Sequence, residues 1–263
     1  MTGPQEPPKT PRVFAHRGAS GHAPENTLAA FRKAAELDCR WVETDCMLTR
    51  DGRVILHHDD TLLRVAGVDL PVGSTDYSDV KNFDCGSWFD PAFAAERIPL
   101  LEQAIDLFSD LNMGVNLELK PWPGADAETA RAVAAIVTRF WPNHLPPPIV
   151  SSFSHEAFQT AWPLLPDSSF AMLWQTLPEN WEAVMKDIGA DALHLDADAL
   201  NEEHARMLTT EGMVFRCYTV NESRRFTELM EWGAEAVFSD LPDKLTPAAT
   251  PWSVTAKCDG NHT

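Results

Sequence analysis

The chain has 263 residues, enough for one large α/β barrel or two ordinary domains, and its 44% hydrophobic and 23% charged content is that of a folded globular protein. Disordered, collagen-like and coiled-coil classes are thereby excluded for the chain as a whole. Asp and Glu number 39 against 21 Lys and Arg, a net charge of −18. Such a field repels nucleic-acid backbones and anionic lipid surfaces at long range, so neither a nucleic-acid partner nor stable membrane association is expected. A small anionic substrate fits only where a cation or a few placed Arg and Lys residues reverse the field locally. The five cysteines (Cys39, Cys46, Cys85, Cys217, Cys258) are scattered and odd in number, which fits free thiols in a reducing compartment better than a disulfide framework. Met1 to Arg12 is polar, carries four prolines and lacks the apolar core of a signal peptide, and no apolar run approaches the roughly 18 residues of a membrane span. The expectation is a cytoplasmic protein with a disordered leader over residues 1–11.

From Arg12 onward, short runs rich in Val, Ile, Phe and Leu alternate with longer stretches of helical period. The predicted strands are Arg12–Ala15, Trp41–Leu48, Val115–Leu119, Pro148–Ser151, Phe170–Trp174, Ala192–Leu195, Met213–Thr219 and Ala236–Phe238. Helical segments are predicted at Thr27–Leu37, Leu100–Phe108, Ala127–Phe140, Glu179–Ile188, Glu202–Thr210 and Ser223–Trp232. Eight βα units in one domain, residues 12–245, predict an α/β fold, a (β/α)8 TIM barrel, with a tail over 246–263. Two departures interrupt the repeat. Asp51-Gly52 separates the second strand from another apolar run, Val54–His58; a two-residue turn of this kind joins antiparallel strands, so a hairpin folds back on the second strand. After it comes a Gly-, Asp- and Pro-rich insertion, about 60–97, expected to lie over the C-terminal face of the barrel and to form a wall that recognises substrate.

Active sites of such barrels sit at the C-terminal ends of the strands. His16-Arg17-Gly18 ends the first strand, Glu43 and Asp45 lie on one face of the second, and Asn116, Glu118 and Lys120 lie on one face of the third. Trp41-Val42 and Met47-Leu48 mark the second strand as buried, where unpaired carboxylates cost several kcal/mol. Glu43, Asp45 and Glu118, if they face inward, converge and repel unless a cation sits among them. An all-oxygen donor set without Cys suits a hard divalent metal, Mg²⁺ or Ca²⁺. The hairpin brings His58 back beside Thr44 and Asp45. His57 points the other way and reads as structural; His194 and Asp196 at a later strand end are weaker candidates for substrate contact.

In order along the chain, His16-Arg17-Gly18, Pro24-Glu25-Asn26-Thr27, Glu43-Thr44-Asp45, Thr49-x-Asp51-Gly52, His58-Asp59, Leu117–Lys120, Tyr218–Asn221 and Ala236–Pro242 resemble the motifs of the glycerophosphodiester phosphodiesterase family. The resemblance spans about Val13 to Pro242. It implies metal-dependent hydrolysis of glycerophosphodiesters to glycerol 3-phosphate and an alcohol, with metal ligands at Glu43, Asp45 and Glu118 and catalytic histidines at His16 and His58. Arg17 and Lys120 would hold the non-bridging phosphate oxygens. Tyr218 stands where the family often has Trp. Related barrel phospholipases share the histidine pair but work at membranes. A non-catalytic binding barrel would require one of the five acid, base or ligand residues to be missing, and all five are present.

Overall fold

The structure, a computed structural model, describes residues 11–245. The expected leader apart from residue 11, the expected tail and Cys258 lie outside the described residues. The first half of the chain forms β1 (Val13–Ala15), α1 (Leu28–Glu36), β2 (Trp41–Leu48), β3 (Val54–Leu56), the one-turn helices α2 (Leu63–Ala66) and α3 (Tyr77–Val80), then α4 (Leu101–Leu111), β4 (Gly114–Leu119) and α5 (Asp126–Phe140). The second half forms β5 (Ile149–Ser152), α6 (His155–Ala161), β6 (Ser169–Trp174), α7 (Trp181–Ile188), β7 (Ala192–Asp196), α8 (Glu202–Thr210), β8 (Val214–Tyr218), α9 (Ser223–Glu231), β9 (Ala236–Ser239) and α10 (Pro242–Leu245). All strands but β3 pair in parallel, and β1 pairs with both β2 and β9, which closes an eight-stranded barrel as expected. The antiparallel β3 pairs with β2 through Cys46–Leu56, Met47–Ile55 and Leu48–Val54, the register set by the turn at Asp51-Gly52.

Alternation along the strands sorts the core into two sets. Val13, Ala15, Val42, Val115 and Val150 turn outward and pack with helix residues such as Phe31, Ile105, Phe108, Val133 and Phe158. Phe14, Trp41, Ile149, Ala236 and Phe238 turn inward and plug the barrel, with Phe14 edge-on to Trp41 at 5.4 Å between centroids. A Cβ on Gly114 would fall 2.2 Å from the Trp41 ring, so the glycine makes the room that this plug needs. Helices α4 and α5 bury residues at i, i+3, i+4 and i+7: Leu101, Ala104, Ile105 and Phe108 in α4, and Ala130, Val133, Ala134 and Val137 in α5. Helix α6 follows β5, as the repeat of βα units requires; it has seven residues, and Ser154 caps it by accepting from the Ala157 amide at 3.0 Å.

The hairpin strand ends at Leu56 rather than His58, although the His57 amide still donates to the Asp45 carbonyl at 3.1 Å. The insertion differs more from expectation. Its apolar core (Leu62, Val65, Val72, Val80, Cys85 and Ile98) builds on Met47 and Ile55, the outward-facing pair of the hairpin. It therefore sits on the flank of β2 and β3 instead of roofing the barrel mouth. Cys39, Cys46, Cys85 and Cys217 are buried free thiols, and among the described residues no helix is long and apolar enough to cross a membrane.

Candidate active site

Glu43, Asp45 and Glu118 meet at the top of the barrel because β2 and β4 pair with Asp45 opposite Glu118. Each offers an oxygen within 4.8 Å of the others. Glu43 is 4% exposed and Asp45 1%, with Glu118 partly buried beside them at the cavity edge. Burial, with the charges of Asp45 and Glu118, pushes Glu43 well above its ordinary value, and burial with Asp45 pushes Glu118 to about 7. Burial would raise Asp45 as well, but Arg17, Lys120 and His58, together with a hydrogen bond from Asn26, hold it at about 2. Glu43 Oε1 is buried with no protein partner. Hard oxygen donors, mutual repulsion and an orphaned buried oxygen all fit a divalent cation.

The imidazoles are held alike. His16 Nδ1 lies 2.7 Å from Asp240 Oδ1, and His58 Nδ1 lies 2.7 Å from Asp59 Oδ1. A carboxylate only accepts, so each ring carries its proton on Nδ1 and keeps Nε2 for other work. His16 Nε2 sits 3.9 Å from Glu43 Oε2. Burial would raise Asp240, yet hydrogen bonds from His16, Asn221 and Ser20 bring it to about 2, so it stays ionised. Burial pushes His58 below its ordinary value; Asp45 opposes this and Arg17 and Lys120 add to it.

Two cations complete the group. Lys120 Nζ reaches Glu118 at 3.3 Å and Asp45 at 3.5 Å. The Arg17 amide donates to Glu43 Oε2 at 2.9 Å, and its guanidinium pairs with Glu25 at 2.9 Å. That amide is aimed by a turn in which Arg17 (φ 54°) and Gly18 (φ 76°) are both left-handed. At Gly18 a Cβ would lie 2.7 Å from the Ala30 carbonyl carbon, so the glycine of this motif is sterically required. Pro24–Thr27 reads in sequence as a helix cap, but the work is divided. Thr27 Oγ1 caps α1 through the Ala30 amide, while Asn26 donates to Asp45 and accepts from Thr44.

All seven residues singled out from the sequence are therefore neighbours, and six of them line one cavity of about 480 Å³, with Asp45 buried beside it. Its far side comes from strand ends that sequence reasoning undervalued or missed: Ser151, Phe153, Leu173, Gln175, Asp198 and Tyr218, joined by the weaker candidates His194 and Asp196. No residue of 60–97 lines it; where the insertion was expected to form a wall, the lining comes from the ends of β5 to β8. The Trp174 side chain faces the helices because Leu173 takes the inward position. His57 is buried against the Thr61 carbonyl, which is structural as expected.

The sequence model of the glycerophosphoryl diester phosphodiesterase family matches residues 16–244. The chain is similar to an Oleispira antarctica phosphodiesterase solved with the product sn-glycerol-3-phosphate. The two are 35% identical with a TM-score of 0.86, covering 89% of this chain and 95% of that one. It is 29% identical over 248 residues to a glycerophosphodiester phosphodiesterase of Bacillus subtilis, covering 88% of this chain and 84% of the relative. A Caldanaerobacter subterraneus glycerophosphodiester phosphodiesterase is 29% identical over 238 residues, 89% of this chain and 95% of the relative. With the family match running from the first motif histidine past the last strand, the chain belongs to the glycerophosphoryl diester phosphodiesterase family of enzymes.

Proposed function

We propose that this protein hydrolyses glycerophosphodiesters to glycerol 3-phosphate and an alcohol, with a divalent metal, Mg²⁺ or Ca²⁺, held by Glu43, Asp45 and Glu118. The observation that carries the reading is the meeting of two imidazoles, each with Nδ1 committed to a carboxylate, around a buried three-carboxylate cluster at one cavity. The product-bound Oleispira relative supports the substrate class. When bound, the metal supplies positive charge that polarises the phosphate and offsets the repulsion among the carboxylates.

The chain's own residues do the rest. Arg17 and Lys120 neutralise non-bridging oxygens, Arg17 with a planar fork braced by Glu25 and Lys120 as a point charge. At Nε2 one histidine takes the proton of the attacking oxygen, that of water or of the substrate's own glycerol hydroxyl, as it bonds to phosphorus, and the other protonates the alcohol oxygen as its P–O bond breaks; attack by the glycerol hydroxyl gives a cyclic phosphate that a water then opens with the two histidines' roles exchanged. Asp240 and Asp59 keep both rings in the tautomer this needs. Asn26 keeps Asp45 turned toward Arg17 and Lys120.

Both His16→Ala and His58→Ala are expected to lower kcat about 100-fold or more while metal affinity, measured by calorimetric titration, is retained. Because the two act in one proton-transfer cycle, the double variant should be little worse than the poorer single one. Wild-type rates in both single variants would refute the assignment.

A further inference from the structure

We propose that Arg64, carried by the insertion, is a positioning residue that locks His58 and Arg17 into one arrangement. The inference rests on the phosphodiesterase reading for its kinetic consequences and on geometry for its substance. Arg64 donates from Nε to Asp59 Oδ2 at 2.7 Å and from one terminal nitrogen to Asp59 Oδ1 at 3.0 Å. The same terminal nitrogen reaches Glu25 Oε1 at 2.9 Å, and the other reaches Glu25 Oε2 at 2.6 Å. Asp59 Oδ1 also holds His58 Nδ1, and Glu25 Oε1 also holds an Arg17 terminal nitrogen at 2.9 Å. One guanidinium thus closes an unbroken chain, His58–Asp59–Arg64–Glu25–Arg17, whose two ends line the cavity.

Exposed ion pairs usually contribute little, and the Arg64 side chain is 40% exposed. Three features set this one apart. Each carboxylate is gripped by two nitrogens, which fixes orientation as well as distance. Both carboxylates face the same cation, so removing it leaves two like charges to splay apart, and each is already attached to a residue of the site. The guanidinium is also backed by the Trp88 ring, 5.6 Å from its central carbon, and that ring is tethered through Nε1 to the Cys85 carbonyl at 2.9 Å. The neighbouring Val65 is buried in the insertion core, so the short helix α2 anchors on one side and presents Arg64 on the other. The insertion, which lines none of the cavity, thereby gains a role: it sets the position of two groups that do.

The two arms predict separable losses. His58 acts in the chemical step, so its loosening lowers kcat; Arg17 holds the phosphate, so its loosening raises KM. Arg64→Met is expected to lower kcat/KM about 10–100-fold with both components affected. Asp59→Asn should reproduce mainly the kcat loss and Glu25→Gln mainly the KM rise. Arg64→Lys, a point charge that cannot grip both carboxylates, should fall between, and added guanidinium should restore part of the activity of Arg64→Ala. Arg50→Met is the control: Arg50 makes an equally two-pronged pair with Asp76 at 2.8 Å on the same flank, attached to nothing in the site, and its kinetics should be those of wild type. Independently of activity, imidazole nitrogen NMR should show His58 as the Nδ1–H tautomer in the unaltered protein and as a tautomer mixture in Arg64→Met. Wild-type kcat and KM in Arg64→Met, an equal loss in Arg50→Met, or an unchanged His58 tautomer would overturn the proposal. A wild-type protein that hydrolyses no glycerophosphodiester would overturn the phosphodiesterase reading, while the NMR comparison would still decide the role of Arg64.

Discussion

Glu118, proposed as a metal ligand, also bears on stability. Burial and Asp45 raise its carboxyl from an ordinary 4.5 to about 7, so between those values the folded, metal-stripped protein keeps a proton that the unfolded chain releases. The folded state then binds more protons than the unfolded one, and stability falls as pH rises through that window. Glu118→Gln has no such proton, so the difference in Tm, wild type minus variant, should fall from about pH 4.5 to about pH 7 in chelator and recover when metal is added. A pH-independent difference would contradict it. Much of the site at this scale was legible in the sequence. Carboxylates two apart on buried strands must share a face, and His16-Arg17-Gly18 stands at a strand end. What could not be read was the support: Asp240 lies 224 residues from His16, and no local periodicity links them. Asn26 was visible but ambiguous, because Asn before a helix reads equally well as a cap.

At the scale of elements, the hairpin decides where the insertion goes. An Asp-Gly turn fixes Met47 opposite Ile55, and their outward side chains offer the apolar floor on which 60–97 packs. Sequence reasoning recognised the hairpin and the insertion but not the floor, so it placed the segment over the mouth. Within the segment Leu62 is fully buried, while Leu63 is 55% and Trp88 41% exposed. Which apolar residues of an irregular segment turn inward depends on tertiary contacts that no period of two or 3.6 records. The parallel strands were readable for the opposite reason: covered on both faces, they appear as continuous apolar runs. Leu62→Ala should cost about 2–5 kcal/mol by removing a buried side chain from the insertion core. Thermal unfolding would show it. Metal affinity should be unchanged, since the three carboxylates proposed as ligands stand on β2 and β4; a stability equal to wild type would mean that the insertion packs otherwise.

Over the whole molecule, a net charge of −18 opposes the approach of a phosphodiester anion, and the fold answers locally. Arg17 and Lys120 are the cations among the cavity's lining residues, placed where three carboxylates would otherwise make the potential more negative. A bound divalent cation would reverse the sign of that point, so turnover is expected to require one. The most direct measurement is release of glycerol 3-phosphate from glycerophosphocholine by the pure protein, dialysed exhaustively against EDTA and then supplied with Mg²⁺ or Ca²⁺. No product in EDTA and product on adding either metal is the expected result; undiminished release in EDTA, or no release with either metal from this or other glycerophosphodiesters, would contradict it.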